Sequence, residues 1–205
     1  MFQKLENVRD VLISQKNITS SQKKINKCSS SLKELRRHLK SNLPKDMTID
    51  NTVFLAFGTD RSTGDSLGPF VGHFLSQYGF NVLGTIHNPL HFENMAQRIE
   101  EIKGQYQYQF SIDSSVLTDT FPPNFIGKVF LKNEGIQPGS GLNKEVDSIG
   151  DFSISCPLVF YDSSSFLTSL SLQNVRLSEV ISLSQMIASA LILHFLKQKN
   201  ITFTI

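Results

Sequence analysis

Apolar and polar residues are arranged in two recurring patterns from residue 52 onward. Short apolar runs rich in aromatic and β-branched residues predict strands, and apolar residues at helical spacing predict helices. The predicted elements are strands at 52–57, 81–86, 107–112, 127–131, 152–161 and 201–205, and helices at 66–78, 90–103 and 179–198. Alternation of strands with helices favours a mostly parallel sheet covered by helices on both faces. The pattern therefore predicts an α/β fold.

The final predicted helix has the broadest apolar stripe and follows a candidate N-cap at Ser178. The longest continuous apolar run is 187–196, well short of the ~18–20 residues needed to cross a bilayer. We therefore expect a buried helix and no association with a membrane. The stripe consists of Val180, Ile181, Leu183, Met186, Ile187, Ala190, Leu191 and His194.

The first 46 residues differ from the rest in charge. They contain 11 Lys and Arg against 4 Asp and Glu, a balance of +7, whereas the remaining 159 residues balance to −5. A basic arm on an acidic body can bind nucleic acid, anionic lipid or the body itself. Because these charges are scattered and no aromatic residues lie between them, we do not expect nucleic acid as a partner. We predict a basic, partly helical or flexible arm at 1–46 and a compact domain at 47–205.

Order within the predicted arm is uneven. Residues 12–30 have few large apolar side chains and are typical of a loosely ordered segment. Leucines then recur at helical spacing over 32–39, behind a capping-box pattern formed by Ser31 and Glu34. We expect a short amphipathic helix that packs on the body and ends before Pro44.

Composition bears on the compartment of the protein. An apolar fraction of 40% suits a soluble globular chain, and Met1–Glu6 lacks the continuous apolar core of a secretory signal. The two cysteines, Cys28 and Cys156, lie in very different contexts and give no disulfide framework. We therefore expect a cytoplasmic protein.

The most informative polar residues follow the strand predicted at 52–57. Asp60, Arg61 and Asp65 lie within six positions of a glycine-bearing loop that precedes the helix near Pro69. Open α/β folds bind their ligands at the exits of buried strands, and a purely structural loop would not need these three charges. The loop lacks the Gly-Lys-Ser/Thr ending of a phosphate-binding loop, and its carboxylates would repel phosphate. We therefore expect an active site here, and not a nucleotide site.

A second acid, Asp113, ends the strand predicted at 107–112. Because the carboxyl ends of parallel strands meet at one edge of a sheet, Asp65 and Asp113 can face a shared cleft. Two carboxylates in one cleft can hold a water between them and divide the acid and base roles, or they can bridge a divalent metal. Asp65 can also serve as a helix N-cap.

Two further segments are candidates for substrate binding. The loop Pro138-Gly139-Ser140-Gly141 exposes its backbone and is suited to closing over a ligand, although an ordinary surface connection has the same composition. Asp162 ends the strand predicted at 152–161 and is placed to contact substrate at the rim of the cleft.

Other nucleophiles and histidines fit less well. Ser114 and Ser115 adjoin Asp113, but the chain has no Gly-x-Ser-x-Gly elbow. Cys156 lies in an apolar strand, which is typical of a buried and inert thiol. His87 and His91 fall near the end of the second predicted strand and can approach the cleft, but helix-facing or solvated positions suit them better.

Three segments together resemble the spore germination protease and, more closely, the YyaC family of sporulation proteins: Thr63–Pro69, Ile112–Asp113 and Gly135–Gly141. The resemblance covers residues 50–205 and extends more distantly to the hydrogenase maturation proteases. It implies a three-layer α/β/α fold of the phosphorylase/hydrolase-like kind, with a cleft for a small substrate or peptide at one sheet edge. The proposed catalytic aspartates of the germination protease match Asp65 and Asp113.

The resemblance to the maturation proteases raises the question of whether this chain binds a metal. In those proteins the matching acids, together with a histidine, bind nickel of the client protein. This chain has no histidine between residues 92 and 193, and Gln137 offers an amide, which is a poor nickel ligand. The departure argues against nickel-guided processing. We expect no cofactor and leave a divalent metal open.

These inferences lead to two hypotheses. The first is a sporulation-associated peptidase in which Asp65 and Asp113 activate a water for attack on a peptide bond, while Asp60 and Arg61 set the local charge or anchor the substrate. The second is a non-catalytic sporulation protein that binds a peptide or a protein partner in the same cleft. The expected location in either case is the cytoplasm of the forespore or the mother cell.

Overall fold

The structure is a computed structural model that describes residues 26–118, 120–138, 147–162 and 164–198. Two short 3₁₀ turns, Gly64–Ser66 and Pro123–Phe125, accompany the strands and helices. In chain order these are β1 (Asn26–Ser29), α1 (Leu32–Asn42), β2 (Thr52–Ala56), α2 (Leu67–Ser76), β3 (Asn81–Leu83), α3 (Met95–Glu101), β4 (Tyr108–Leu117), β5 (Val129–Lys132), β6 (Phe152–Phe160), α4 (Ser165–Gln173) and α5 (Leu177–Gln198).

The strands form one six-stranded sheet in the order β1-β5-β6-β4-β2-β3 across the described residues. Strands β3, β2, β4 and β6 are parallel, and β5 runs antiparallel between β6 and β1. The mostly parallel α/β fold predicted from the alternation of strands and helices is confirmed. Parallel pairing requires crossover connections, and α2 and α3 supply those from β2 to β3 and from β3 to β4.

Strand β2 is buried on both faces and separates two cores. Val53 and Leu55 point into a core with Leu90, Met95 and helix α3. Phe54 points the opposite way, into a larger core formed with α1, α2 and α5. Its ring stacks on Phe110 at 5.5 Å and meets other rings edge-on. Helices therefore lie on both faces of the sheet, in a three-layer arrangement.

Residues 26–46 pack with the domain that was predicted to begin at 47. Strand β1 pairs with β5, although its sequence Asn-Lys-Cys-Ser carries no strand pattern and falls in the segment predicted to be loosely ordered. Helix α1 is confirmed, with the Ser31 hydroxyl accepting from the Glu34 amide, and its Leu35 and Leu39 are completely buried. A flexible arm stays a prediction for residues 1–25, which lie outside the described residues.

Several predicted boundaries were wrong. Helix α3 begins at Met95 instead of 90, and β4 continues to Leu117 instead of ending at 112. Helix α4 was missed because its Ser-rich sequence has weak apolar periodicity, although Ser164 caps it by accepting from Leu167. Helix α5 begins at Leu177, so Ser178 lies inside its first turn. The strand predicted at 201–205 lies outside the described residues.

Helix α5 has a longer apolar span than its sequence indicated. Leu177–Leu196 has a mean hydropathy of 1.6, which is sufficient by length and composition to cross a membrane. Half of this span is buried inside the protein, and α5 packs on α1 and α2. The buried Ser184 hydroxyl donates to the Leu67 carbonyl at the start of α2, at 3.2 Å. These contacts identify α5 as a core helix of the α/β fold.

Helix α2 lies unusually close to the sheet because two glycines, one turn apart, face it. A Cβ atom on Gly68 would lie 2.0 Å from the Phe57 carbonyl oxygen, and one on Gly72 would lie 2.0 Å from the carbonyl oxygen of Gly84. Both obstacles are backbone atoms, so a side chain could be accommodated only by moving the helix away from β2.

Gly68→Ala should therefore destabilise the protein by about 1–3 kcal/mol or more, the usual cost of overpacking. Urea unfolding followed by circular dichroism measures this change. Gly79→Asn is the control, because nothing lies within 4 Å of a Cβ at Gly79 and asparagine tolerates its positive φ of 76°. Equal midpoints for the two variants would contradict the close packing described for Gly68.

His194 on α5 is a half-buried histidine whose Nε2 atom is buried and has no hydrogen bond among the described residues. Its ring lies edge-on against Phe195, with centroids 4.9 Å apart. Burial, assisted by the positive charge of Arg36, lowers the pKa of His194 to about 4. Because the unfolded chain holds this proton up to a pH of about 6.5, unfolding takes up a proton between the two values.

The contribution of His194 to stability should therefore fall as the pH falls from about 6.5 towards 4, so acidification should be less unfavourable to His194→Gln than to wild type. Thermal unfolding at pH 7 and pH 5 measures the difference. His87→Gln, at an exposed histidine, should keep the wild-type difference in melting temperature between the two pH values. An undiminished difference in His194→Gln would show that other groups cause the acid sensitivity.

Candidate active site

The site lies where β2 ends and its neighbour β4 continues. The last paired residue of β2 is Ala56, opposite Ile112, whereas β4 extends to Leu117 alongside β6. The connections on either side of β2 cover opposite faces, since α2 packs in one core and α3 in the other. Open α/β sheets bind ligands at such switch points, beyond the carboxyl ends of the strands. Asp113 is the first residue of β4 beyond the segment that pairs with β2.

The loop after β2 folds back so that Asp65 returns to this position. Gly58 has a φ of 137°, and a Cβ there would lie 1.9 Å from the Asp65 carbonyl oxygen. The Thr59 amide donates to that carbonyl at 3.1 Å, and the Gly58 amide donates to Leu90 at 2.9 Å. The backbone of Asp65 is thus fixed against the end of β2.

Asp65 and Asp113 line the same cavity, which has a volume of about 470 Å³. Asp113 is paired with Ser155 of β6, so the side chains of Asp113 and Ser155 lie on the same face of the sheet. The shared cleft expected for the two aspartates is therefore present. The other lining residues are Ser114, Ser115, Val116, Lys132, Glu134, Gly135, Ile136, Gln137, Ser148, Ser155 and Leu172.

Asp65 is held by a hydroxyl group and does not cap a helix. Helix α2 begins at Leu67 with Ser66 in the cap position, and no side chain caps it. The Ser114 hydroxyl donates to Asp65 Oδ1 at 3.4 Å. Burial raises the pKa of Asp65, and the hydroxyls of Ser62 and Ser114 partly offset this rise. The Ser62 hydroxyl lowers the pKa of Asp65 by its proximity. Its buried Oγ makes no hydrogen bond of normal geometry within the described segments.

Asp113 is the more strongly perturbed of the two acids. Its pKa lies well above the ordinary value, first because of burial and then because of the negative charge of Asp65, while the Ser114 amide lowers it slightly. Two neighbouring carboxyl groups titrate as a pair, and the more perturbed one keeps its proton to higher pH. The pair therefore favours a protonated Asp113 beside an Asp65 that ionises first.

The cavity lining also carries charges that the sequence did not single out. Lys132 Nζ and Glu134 Oε1 form an ion pair at 3.8 Å, with both side chains more than one-third exposed. Ser155 was also missed, although a signal exists for it. In the run from Phe152 to Cys156, serines alternate with apolar residues, which places them on the face opposite the larger core.

Three predicted substrate-binding residues lie away from this cavity. Asp60 and Arg61 are exposed and do not line it, and no ion pair joins Arg61 to Asp65 in the described parts of the chain. Asp162 is also exposed, and its amide donates to the Thr168 hydroxyl at 2.9 Å at the start of α4. Their roles in binding substrate stay predictions.

Gly139, Ser140 and Gly141, predicted to close over a ligand, lie outside the described residues. Gln137, just before them, does line the cavity. The structure therefore places Gln137 at the site and leaves the role of the three residues as a prediction.

Alternative chemistry finds little support in the described residues. Burial raises the pKa of the Cys156 thiol to about 12, so it is protonated at neutral pH and a poor nucleophile. Neither His87 nor His91 lines the cavity. Where the chain is described, no group of three or more His, Cys, Asp or Glu side chains is placed to hold a metal ion.

Comparison with known proteins identifies the family. A family model described as "Protein of unknown function (DUF1256)" matches residues 15–190. The chain belongs to the DUF1256 family. It is 33% identical over 142 residues to "Uncharacterized protein YyaC" of Bacillus subtilis (strain 168), covering 68% of this chain and 67% of YyaC. The resemblance to YyaC inferred from three sequence segments is thereby confirmed.

A solved structure is also similar to this DUF1256 protein. It is the "[NiFe] hydrogenase maturation protease HybD from Thermococcus kodakarensis", with 16% sequence identity and a TM-score of 0.38. The match covers 69% of this chain and 98% of HybD. At this level of similarity, the chemistry of the DUF1256 site is interpreted from its own residues.

The perturbed acids make a prediction about stability. Ionising Asp113 in the folded protein costs free energy above the pH at which the unfolded carboxyl ionises, so Asp113→Asn should stabilise the protein at pH 7. We expect the melting temperature to rise by roughly 2–4 °C, the effect of about 1 kcal/mol in a domain of this size. The exposed Asp60 supplies the control, and Asp60→Asn should leave the melting temperature unchanged. A lower melting temperature for Asp113→Asn would indicate that the carboxylate stabilises the fold.

Proposed function

We propose that this DUF1256 protein is a sporulation-associated peptidase that hydrolyses a peptide bond with Asp65 and Asp113. The observation that carries the proposal is the pairing of two carboxyl groups with raised pKa values in one cavity at the switch point of the sheet. Perturbed acids in a cleft are frequent at catalytic sites. A carboxylate with no catalytic or binding role would be more stable in solvent, where it keeps its hydration.

The proposed mechanism assigns a different role to each acid. Asp65, which ionises first, acts as the general base and takes a proton from a water held between the carboxyl groups. The resulting hydroxide attacks the carbonyl carbon, while the protonated Asp113 donates a hydrogen bond to the carbonyl oxygen. Collapse of the tetrahedral intermediate breaks the C–N bond, and a carboxyl proton passes to the leaving amine.

The proposed mechanism also gives a bell-shaped dependence of rate on pH. The acidic limb reports ionisation of Asp65, and the basic limb reports loss of the proton from Asp113. Because the charge of Asp65 raises the pKa of Asp113, removing that charge should move the basic limb to lower pH in any variant that keeps residual activity.

The biological setting belongs to the proposal as well. The relationship to a Bacillus protein, together with the resemblance of the site segments to the germination protease, supports a role in sporulation. The expected location is the cytoplasm of the forespore or the mother cell, and the expected partner is a protein or peptide substrate. A small acid-soluble spore protein is therefore the first substrate to test.

Cleavage assays with the purified full chain test the peptidase. Wild type, Asp65→Asn and Asp113→Asn are incubated with small acid-soluble spore protein and, in parallel, with a pool of randomised peptides, and the products are analysed by mass spectrometry. Loss of the general base or acid should reduce the rate by about 10²–10⁴-fold. Glu93→Gln removes an exposed carboxylate that does not line the cavity and should cleave like wild type.

The outcomes of this assay separate the two hypotheses. Cleavage that survives in both cavity variants would overturn the carboxylate mechanism, and sensitivity to a chelator would indicate a metal-assisted reaction. If wild type cleaves neither substrate, with or without added divalent metal, the peptidase proposal fails. The non-catalytic alternative, a sporulation protein that binds a peptide or partner in the same cavity, would then be favoured.

A further inference from the structure

Strand β4 has an unpaired edge at the candidate site. The orientation of its backbone groups is fixed by hydrogen bonds at its start. The Tyr108 amide donates to Asn51, and the Ile112 carbonyl accepts from Phe57 at 2.8 Å. Residues 108 and 112 therefore turn their backbone groups towards β2. Since these groups alternate along a strand, every even-numbered residue of β4 faces that side.

The odd-numbered residues of β4 face the other way, towards β6. The Gln109 carbonyl accepts from the Asp151 amide at 2.8 Å, just before β6 begins, and the Leu117 carbonyl accepts from the Tyr161 amide at 2.7 Å, just after it ends. The side chains follow the same alternation as far as Val116, which packs against the larger core with Ile112. The register between β4 and β6 shifts between Ser115 and Val116, where Leu158 is the extra residue on β6. The alternation of β4 itself continues on both sides of this shift, since Gln109 and Leu117 both face β6.

Ser114 and Val116 consequently present backbone groups to the space beyond the end of β2. The Ser114 amide turns to the Asp113 carboxyl group. The Ser114 carbonyl and both backbone groups of Val116 have no hydrogen-bond partner among the described residues. Both residues line the cavity together with Asp65 and Asp113. Buried or half-buried backbone groups in proteins are normally paired, so these groups are suited to a ligand.

We propose that the substrate is an extended peptide segment that binds as an added strand on β4, where it pairs with residues 114–116 in the place that a longer β2 would occupy. The proposal rests on the peptidase function proposed above and names the substrate class: unstructured segments of proteins. Backbone pairing of this kind holds a peptide largely independently of its side chains.

The position of this edge explains why a peptide suits it better than another ligand. Val116 offers one donor and one acceptor on the same side, and a single residue of an antiparallel strand pairs with both. A peptide in this place continues the sheet directly past Asp113, with Asp65 held nearby through the Ser114 hydroxyl. Its backbone, which contains the bond to be cut, is thereby brought alongside both acids.

A proline at position 116 tests the proposal. Val116→Pro removes the donor that faces the peptide but no hydrogen bond to β6, and Val116→Ala keeps the donor while also truncating the side chain. Both full-length variants are assayed by cleavage of the randomised peptide pool. Loss of one backbone hydrogen bond should reduce kcat/KM about tenfold, mainly through a higher KM, in Val116→Pro relative to Val116→Ala. Equal values for the two variants would overturn the proposal.

Amide hydrogen exchange separates failure of docking from failure of catalysis. In wild-type protein without peptide, the Val116 amide should exchange faster than that of Leu117, which faces β6. Blocked peptides of about ten residues, added to Asp113→Asn protein so that none is cut, should slow exchange at Val116 at least tenfold. Protection without cleavage by wild type would contradict the peptidase but support docking. Cleavage by wild type without protection at Val116 would overturn docking alone.

Discussion

The close contact between helix α2, the glycine loop and the end of β2 is the constraint on which the candidate site depends. Gly68 allows the helix to rest on the Phe57 carbonyl, and Gly58 allows the loop to pass directly over the Asp65 carbonyl. Together they end β2 abruptly and return the chain to the neighbouring strand. A bulkier loop would separate Asp65 from Asp113, and the raised pKa of the latter depends partly on that proximity.

The unfavourable burial of the Asp113 carboxyl group is maintained by a rigid part of the fold. Asp113 lies in a strand paired with β6 on one side, above a core in which Phe54, Phe110 and Phe195 interlock. A group held by a regular strand cannot move away to solvent when it ionises, so its unfavourable environment persists. Proteins often keep such groups where function requires them, and the surrounding core supplies the free energy that they cost.

The fold was more predictable than the extent of the site. Alternating strand and helix patterns are strong where a strand such as β2 is buried on both faces, and the two aspartates follow from the topology of a parallel sheet. Asp60 and Arg61 share a loop with Asp65 but point to solvent, because sequence proximity does not define side-chain direction. Lys132 and Glu134 reach the cavity only through the antiparallel strand β5, whose pairing no local pattern reveals.

The packing of residues 26–46 changes what counts as the minimal folded unit. Helix α1 buries Leu35 and Leu39 against the same core as Phe54, and β1 covers the outer edge of β5. A fragment beginning at residue 47 would expose an apolar surface on α5 and an open strand edge, both of which promote association between chains. Limited proteolysis within this segment would thus release an aggregation-prone fragment and not an intact domain.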